Sequence, residues 1–189
     1  VVTMPNTKPI IDNVSMVDFI IRRGRDKSNL NIFPAASLTK DMAGKEMVEF
    51  GLLSAKGIVG FTDPFQSVQN TETMSRIMNY ASDMGTLIMQ HPEDNELSKN
   101  GCANEGEIAT RLGLESIPSI AEKIIIERDL TLLEEYPCRY HIQQISSEKS
   151  VEVIKKNKKE GKKFTTGVSI NHLSLNDNDI GDFKTFLKL

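Results

Sequence analysis

Tryptophan is absent from the 189 residues of this sequence, and cysteine occurs only twice, at Cys102 and Cys138. The two cysteines lie far apart and outside any Cys-x-x-Cys spacing, which argues against a disulfide scaffold or a zinc finger and predicts two free thiols. Basic residues are not in excess either, since 23 Lys and Arg stand against 26 Asp and Glu. The net charge of −3 predicts that neither nucleic acid nor an anionic membrane is a partner.

Long apolar runs are also missing. No run approaches the roughly 20 residues that span a bilayer, and the first residues do not form a basic and then apolar signal peptide. The cytoplasm is therefore the expected location. The 39% apolar and 26% charged residues are typical of a globular protein, and the length predicts a single domain over 1–189. The strand-like opening at 1–4 and the apolar ending at 186–189 predict a fragment of a longer protein.

Segments with strand and helix patterns alternate along the chain. Strands are predicted where short apolar runs end in turn residues, over 1–4, 31–36, 58–62, 87–90, 139–145 and 164–170. Helices are predicted where apolar residues recur at helical spacing, over 15–25, 44–55, 70–84, 119–135 and 148–159. In the helix over 70–84, Met74, Ile77, Met78 and Ala81 are predicted to face inward, and Met84 is predicted to lie in the core with Met74 and Met78. This alternation requires parallel pairing, because each helix must carry the chain back to the start of the next strand.

A polar residue follows each predicted strand. These residues are Asn6, Thr39, Asp63, His91, Gln144 with Ser146, and Asn171 with His172. Polar side chains that converge at one end of parallel strands are typical of an α/β protein with a (β/α)8 TIM barrel, here with about six of its eight strands. A doubly wound sheet is the rival fold, but no Gly-x-Gly-x-x-Gly follows the first strand to support it.

The most informative stretch runs from 87 to 94. Its apolar residues predict a strand buried on both faces, and the strand ends in His91-Pro92-Glu93-Asp94. His91 is open to two interpretations, a position at a metal site or a buried, hydrogen-bonded histidine. Asp63 can equally be a ligand or a turn former. For Glu93 and Asp94, hydrogen bonds that shape the loop are favoured over acid–base chemistry.

Three further features favour structural roles. His141 lies inside a predicted strand, which favours a core or supporting position. His172 follows a predicted strand end and could reach a pocket, but a structural role is favoured there too. The basic run 155–163 is interpreted as a solvated face at the end of a crossover helix.

Several motifs match a known family in order and at the expected distances. They are Val2-Thr3-Met4-Pro5-Asn6, Gly60-Phe61-Thr62-Asp63, His91-Pro92-Glu93-Asp94, Asn104-Glu105-Gly106, Arg111-Leu112-Gly113-Leu114, Ala121-Glu122 and Arg139-Tyr140-His141-Ile142. Together they resemble dihydroorotase of the cyclic amidohydrolase superfamily over essentially the whole chain. The resemblance implies a (β/α)8 barrel that hydrolyses or forms the cyclic amide of dihydroorotate in pyrimidine biosynthesis. It also implies zinc at the carboxyl end of the barrel, where the metal generates hydroxide and polarises the amide carbonyl.

The resemblance assigns roles to three residues of this sequence. Asn6 matches the asparagine that binds the substrate carboxylate, Asp63 matches a metal-bridging aspartate, and His91 matches a metal-binding histidine. No catalytic residue is implied within this chain, because the His-x-His pair of the first strand and the proton-transferring aspartate of the last strand match no part of it. Active members also have a zinc-binding histidine where this sequence has Gln144, and a second acid where it has Pro64. A neutral amide is a poor zinc ligand.

Two functions remain open. The first is a zinc-dependent amidohydrolase acting on a small cyclic amide. The second, which Gln144 favours, is a non-catalytic homologue that serves as a structural partner of aspartate transcarbamoylase. The segment 167–181 is similar to a divergent branch of the family found in alphaproteobacteria. We expect no activity from this chain by itself, because several ligands and the general base are missing, and we expect it to form a homo-oligomer through unpaired strand edges.

Overall fold

Strands and helices alternate along residues 1–181, the part of the chain that the computed structural model describes. The predicted apolar ending at 186–189 lies outside these residues. The strands are β1 (Val2–Thr3), β2 (Phe33–Pro34), β3 (Leu87–Gln90), β4 (Ala103–Asn104), β5 (Ser116–Ile117), β6 (Arg139–Ile142) and β7 (Thr165–Thr166). The α-helices are α1 (Val14–Lys27), α2 (Phe50–Ser54), α3 (Thr71–Met84), α4 (Asn95–Ser98), α5 (Glu107–Leu112), α6 (Ile120–Glu135), α7 (Glu148–Lys159) and α8 (Ile170–Ser174).

The main strands lie side by side in the same order as along the chain. β1 pairs with β2, and β3 pairs with β6, which pairs in turn with β7, all in parallel. Phe61 joins these two groups, because it forms parallel bridges with Ala36 beyond β2 and with Ile88 in β3. The predicted parallel pairing is therefore confirmed, although the strand predicted over 58–62 is reduced to one bridged residue. A doubly wound sheet reverses its strand order, and residues 1–181 contain no such reversal.

Helix α3 shows how the apolar spacing builds the core. Asn70 caps the helix by accepting a hydrogen bond from the backbone N–H of Thr73, and Gly85 ends it in a left-handed conformation with φ of 64°. The four residues predicted to face inward are fully buried, namely Met74, Ile77, Met78 and Ala81. Met84 was also predicted to lie in the core. This prediction is wrong, because Met84 is 42% exposed at the end of the helix.

The helix predicted over 44–55 is wrong over its first half. Only Phe50–Ser54 is α-helical, and Lys40–Met42 forms a short 3-10 turn before it. Asp41, Met42 and Gly44 have positive φ angles of 53°, 51° and 70°. The left-handed Gly44 does not fit an α-helix at the start of the predicted range. The antiparallel bridge between Thr39 and Met47 then keeps the following residues out of a helix, so a loop replaces the first half of the predicted helix.

The strand predicted over 164–170 is also too long. β7 ends at Thr166, and Ile170 begins α8, whose N-cap residue Ser169 accepts a hydrogen bond from the N–H of Asn171. Asn171 and His172 therefore lie on a helix and not at a strand end. Within residues 1–181, no helix is both long enough and apolar enough to cross a membrane.

Candidate functional site

A cavity of about 940 Å³ opens where the parallel strands end. Its walls include residues that follow β1, the bridged residue Phe61, β3, β6 and β7, among them Asn6, Pro64, His91, Gln143, Gln144 and Ser169. Residues of the segment 101–104 and of the turn at 176–180 also line the cavity. The cavity therefore lies where parallel α/β folds place their binding sites.

His91 is the cavity residue that follows β3. Its Nε2 lies 3.2 Å from a carboxylate oxygen of Glu93, and this hydrogen bond lowers the pKa of Glu93, while burial opposes the shift. Nδ1 of His91 is buried and has no hydrogen-bond partner among the described residues. One ring nitrogen is thus engaged, and the other is buried without a partner among the described residues.

Two side chains hold the loop that follows His91. Ser67 donates its hydroxyl hydrogen to the carbonyl oxygen of His91 and accepts a hydrogen bond of 2.7 Å from the N–H of Glu93. Gln69 donates to the carbonyl oxygen of Glu93 at 2.8 Å and accepts from the N–H of Asn95 at 3.1 Å. The sequence did not single out Ser67 or Gln69, because both contact a segment more than 20 residues away along the chain.

Asp94 has the structural role that the sequence favoured. Its carboxylate accepts hydrogen bonds of 3.0 Å from the N–H groups of Glu96 and Leu97 and so caps the short helix α4. Its own N–H donates to the carbonyl oxygen of Ala121 at the start of α6. The loop after β3 is therefore anchored to the first turn of α6.

Glu122, in that first turn, fixes the loop after β6. Its carboxylate accepts hydrogen bonds from the N–H and the hydroxyl of Ser146, at 2.9 and 2.7 Å, and from both groups of Ser147 at 3.3 Å. Glu122 was recognised only as part of a motif. An acid in the first turn of a helix can be recognised from the sequence as a favourable helix start. Its contact with the loop after β6, however, depends on the tertiary fold.

Asp63 lies behind the cavity wall and not within it. Asp63 is only 1% exposed, and it is not among the residues that line the cavity. One carboxylate oxygen accepts from the N–H of Leu38 at 2.8 Å and of Thr39 at 3.4 Å, and the other accepts from the hydroxyl of Thr39 at 2.5 Å. Burial raises the pKa of Asp63, and these hydrogen bonds oppose the rise.

The structure brings the other predicted residues to the cavity. Asn6 and Gln144 both line it, and Gln144 has a left-handed backbone with φ of 49°. His141 lines it too, with its Nδ1 lying 2.7 Å from the hydroxyl of Thr165. Burial lowers the pKa of His141, which favours the neutral ring. His172 is exposed on α8 at the rim.

Comparison with known proteins identifies the family. Residues 1–150 match the family described as Dihydro-orotase-like. The chain belongs to this dihydro-orotase-like family. It is 41% identical over 189 residues to a dihydroorotase of Sulfurihydrogenibium sp., covering all of this chain and 45% of that protein. It is 40% identical over 181 residues to a dihydroorotase of Ehrlichia chaffeensis, covering 95% of this chain and 40% of that protein. The chain therefore spans less than half the length of these relatives.

Solved structures agree on the fold of this dihydro-orotase-like chain. An L-hydantoinase (dihydropyrimidinase) from Arthrobacter aurescens superposes on it with a TM-score of 0.79 and 17% sequence identity, covering 100% of this chain and 43% of the hydantoinase. At that identity the likeness concerns the fold alone. It confirms the α/β class that the strand–helix alternation predicted.

Within residues 1–181, the dihydro-orotase-like chain does not by itself fit a zinc ion. No group of three His, Cys, Asp or Glu side chains in this part of the chain could hold a metal. His91 offers one nitrogen, Asp63 is turned away from the cavity, and Gln144 offers an amide. Since a zinc site needs at least three protein ligands, a centre here would require ligands from outside the described residues.

Proposed function

We propose that the protein is a dihydroorotase-like cyclic amidohydrolase and that these residues form the central part of its barrel. The observation that carries the proposal is the cavity at the strand ends, which brings Asn6, His91 and Gln144 together. A family member with six sequential parallel strand positions is best completed by further strands that close a (β/α)8 barrel. Hydrolysis or formation of the cyclic amide of dihydroorotate is the activity proposed for the complete protein.

The chain's own residues suit the binding of a small cyclic amide. The Asn6 side chain can donate a hydrogen bond to the substrate carboxylate. The amides of Gln143 and Gln144 can each donate and accept, which matches the N–H and C=O groups of a cyclic amide. His141, kept neutral by burial, adds a ring nitrogen that carries no charge. These residues orient the ligand, and we assign them no catalytic step.

Turnover of dihydroorotate by the full-length protein, measured together with its zinc content, tests this function. We expect activity that requires zinc and is lost in His91→Ala, whereas Tyr80→Ala, at an exposed position on α3 that does not line the cavity, serves as the control and stays close to the wild type. A protein with neither zinc nor turnover would exclude the enzyme.

A non-catalytic homologue is the second candidate function. Gln144 supports it, because an amide stands where the resemblance expects a zinc-binding histidine. In this proposal the barrel is retained as a structural partner of aspartate transcarbamoylase in the cytoplasm. Co-sedimentation of the two full-length proteins, with no zinc in the dihydroorotase-like subunit, is the expected result. Independent sedimentation of the two proteins would exclude it.

Self-association is proposed for the chain in either case. β1 and β7 each have one strand neighbour among the described residues, and large apolar side chains are exposed near both, including Val1 and Phe33 at one edge and Ile170 and Leu173 at the other. Exposed edges and apolar patches favour association. A single monomeric species at all concentrations in sedimentation velocity would refute this proposal.

A further inference from the structure

The register of the parallel strands shows which residues share a level across the sheet. Phe61 is bridged to Ile88, and Ile88 is paired with Tyr140. Neighbouring residues at one level of a sheet point to the same face, and successive residues along a strand alternate between faces. The contacts of one residue at a given level therefore show which face of the sheet the other residues of that level point to.

The level that contains Phe61 faces the surrounding helices. The Phe61 ring stacks on Phe50 of α2, with ring centroids 3.9 Å apart. At the same level, the hydroxyl of Tyr140 donates to Asp129 of α6. Phe61, Ile88 and Tyr140 are all buried, as expected for side chains packed between the sheet and its helices.

Two residues further along, the side chains face the helices again. Gln90 and Ile142 are paired at this level, and Nε2 of Gln90 lies 4.0 Å from Sδ of Met74 on α3. Asp63 has the same position relative to Phe61 as Gln90 has relative to Ile88. Its burial against Leu38 and Thr39 agrees with this register.

The next level faces the cavity. It contains Pro64, His91 and Gln143, and all three line the cavity. Pro64 thus occupies the position beside His91 from which a side chain of this strand would reach the site. Proline offers no side-chain donor or acceptor for a metal or a substrate.

We propose that Asp63 clamps the loop 37–44 and is not a metal ligand, and that Pro64 is the cavity-facing position of its strand. The role given to Pro64 rests on the proposed function, because that function defines the site that position 64 faces. The clamp formed by Asp63 does not depend on it. It replaces the assignment of Asp63 as a bridging ligand, which came from the resemblance.

The contacts of Thr39 show what the clamp holds. Its hydroxyl donates to Asp63 and at the same time accepts a hydrogen bond of 2.9 Å from the N–H of Gly44. Between Thr39 and Gly44 the chain passes through the left-handed residues Asp41 and Met42. Because left-handed residues other than glycine are held only by their surroundings, the Asp63–Thr39 pair stabilises this turn.

The test asks whether Asp63→Asn lowers the thermal stability of the full-length protein by the same amount with and without zinc. Asparagine keeps the size of the side chain and one oxygen for the two N–H groups, but it removes the charge and the acceptor for the Thr39 hydroxyl. Thermal unfolding is measured with added zinc and with a chelator, for wild type, Asp63→Asn, Thr39→Val and the double variant. Asp18→Asn is the matched control, since Asp18 forms an exposed pair with Lys56 at 3.4 Å.

The clamp predicts that Asp63→Asn lowers the unfolding midpoint equally with and without zinc, with an unfolding equilibrium constant raised about tenfold. It also predicts that Thr39→Val costs much less in the Asp63→Asn background than in the wild type. The control should leave the midpoint unchanged. If Asp63→Asn does not fold, Thr39→Val alone should still lower the midpoint by the same amount in zinc and in chelator.

A larger cost of Asp63→Asn in zinc than in chelator would overturn the proposal, because it would show that Asp63 binds the metal. The proposal would also be overturned if the double variant lowered the unfolding midpoint by the sum of the effects of Asp63→Asn and Thr39→Val. Failure of the proposed function is distinguishable from either result, since it appears as an absence of dihydroorotate turnover and does not change these midpoints.

Discussion

Replacing Tyr140 with phenylalanine would remove a single oxygen atom from a buried polar contact beside the site. The Tyr140 hydroxyl donates to Oδ2 of Asp129 at 2.5 Å, and Arg128 donates to Oδ1 at 2.8 Å. Burial raises the pKa of Asp129, which the neighbouring Arg128 opposes, and burial beside Asp129 raises that of Tyr140. The sequence did not single out this pair, although an acid on the buried side of an amphipathic helix is a recognisable signal.

The cost of the substitution follows from the geometry. No cavity of consequence is created, so the effect is that of a lost hydrogen bond to a buried carboxylate, about 1.5–3 kcal/mol of unfolding free energy. For a chain of this size, about 2–4 °C per kcal/mol converts this into a fall of roughly 3–12 °C in the unfolding midpoint. Because the sequence has no tryptophan, urea unfolding followed by far-ultraviolet circular dichroism is the suitable assay.

Tyr80→Phe is the matched control for this prediction. Tyr80 is 49% exposed, and the same substitution there should change the unfolding free energy by less than about 0.5 kcal/mol. If Tyr140→Phe also fell within that range, the reasoning that the hydroxyl–carboxylate contact stabilises the link between β6 and α6 would be refuted.

Three further outcomes are expected. A maleimide at pH 8 should label Cys102, which is exposed, and spare Cys138, because burial raises the pKa of Cys138 to about 11; mass spectrometry that finds Cys138 labelled in the folded protein would contradict this. Because burial lowers the pKa of His141, the folded state resists its protonation, so stability should fall as pH drops through about 6.5, and urea unfolding should show a shallower fall for His141→Asn. Met78→Ala, at a fully buried position, should lower the unfolding free energy by about 2–5 kcal/mol in the same assay, and a loss of less than about 1 kcal/mol would show that the core had been misassigned.

Helix α6 explains how these contacts relate to the cavity. Its first turn anchors both strand-end loops, through the carbonyl oxygen of Ala121 and the carboxylate of Glu122. Further along, Arg128 donates to the carbonyl oxygen of Gln69 at 3.0 Å, and Gln69 holds the loop beside His91. The geometry around His91 therefore depends on side chains that do not line the cavity.

The sequence by itself determined the elements whose signals are local. The spacing of apolar residues and the cap at Asn70 predicted α3, and α7 has the bounds that the pattern predicted, Glu148–Lys159. The apolar run before His91 predicted β3, and the motifs predicted the family. Each predicted element depends on residues within a single helix or strand, so neighbours along the chain carry the information, whereas the family depends on several such motifs in order along the chain.

Only the tertiary structure decided which way the site residues point. Alternation along a strand is a local property, but the face that meets the cavity depends on the register with neighbouring strands and on the helices packed behind them. Asp63 and Pro64 differ by one position, and the pairing of Phe61 with Ile88 places the first behind the wall and the second in the cavity. The left-handed turn at Asp41 and Met42 is likewise stabilised through Asp63, more than 20 residues away along the chain.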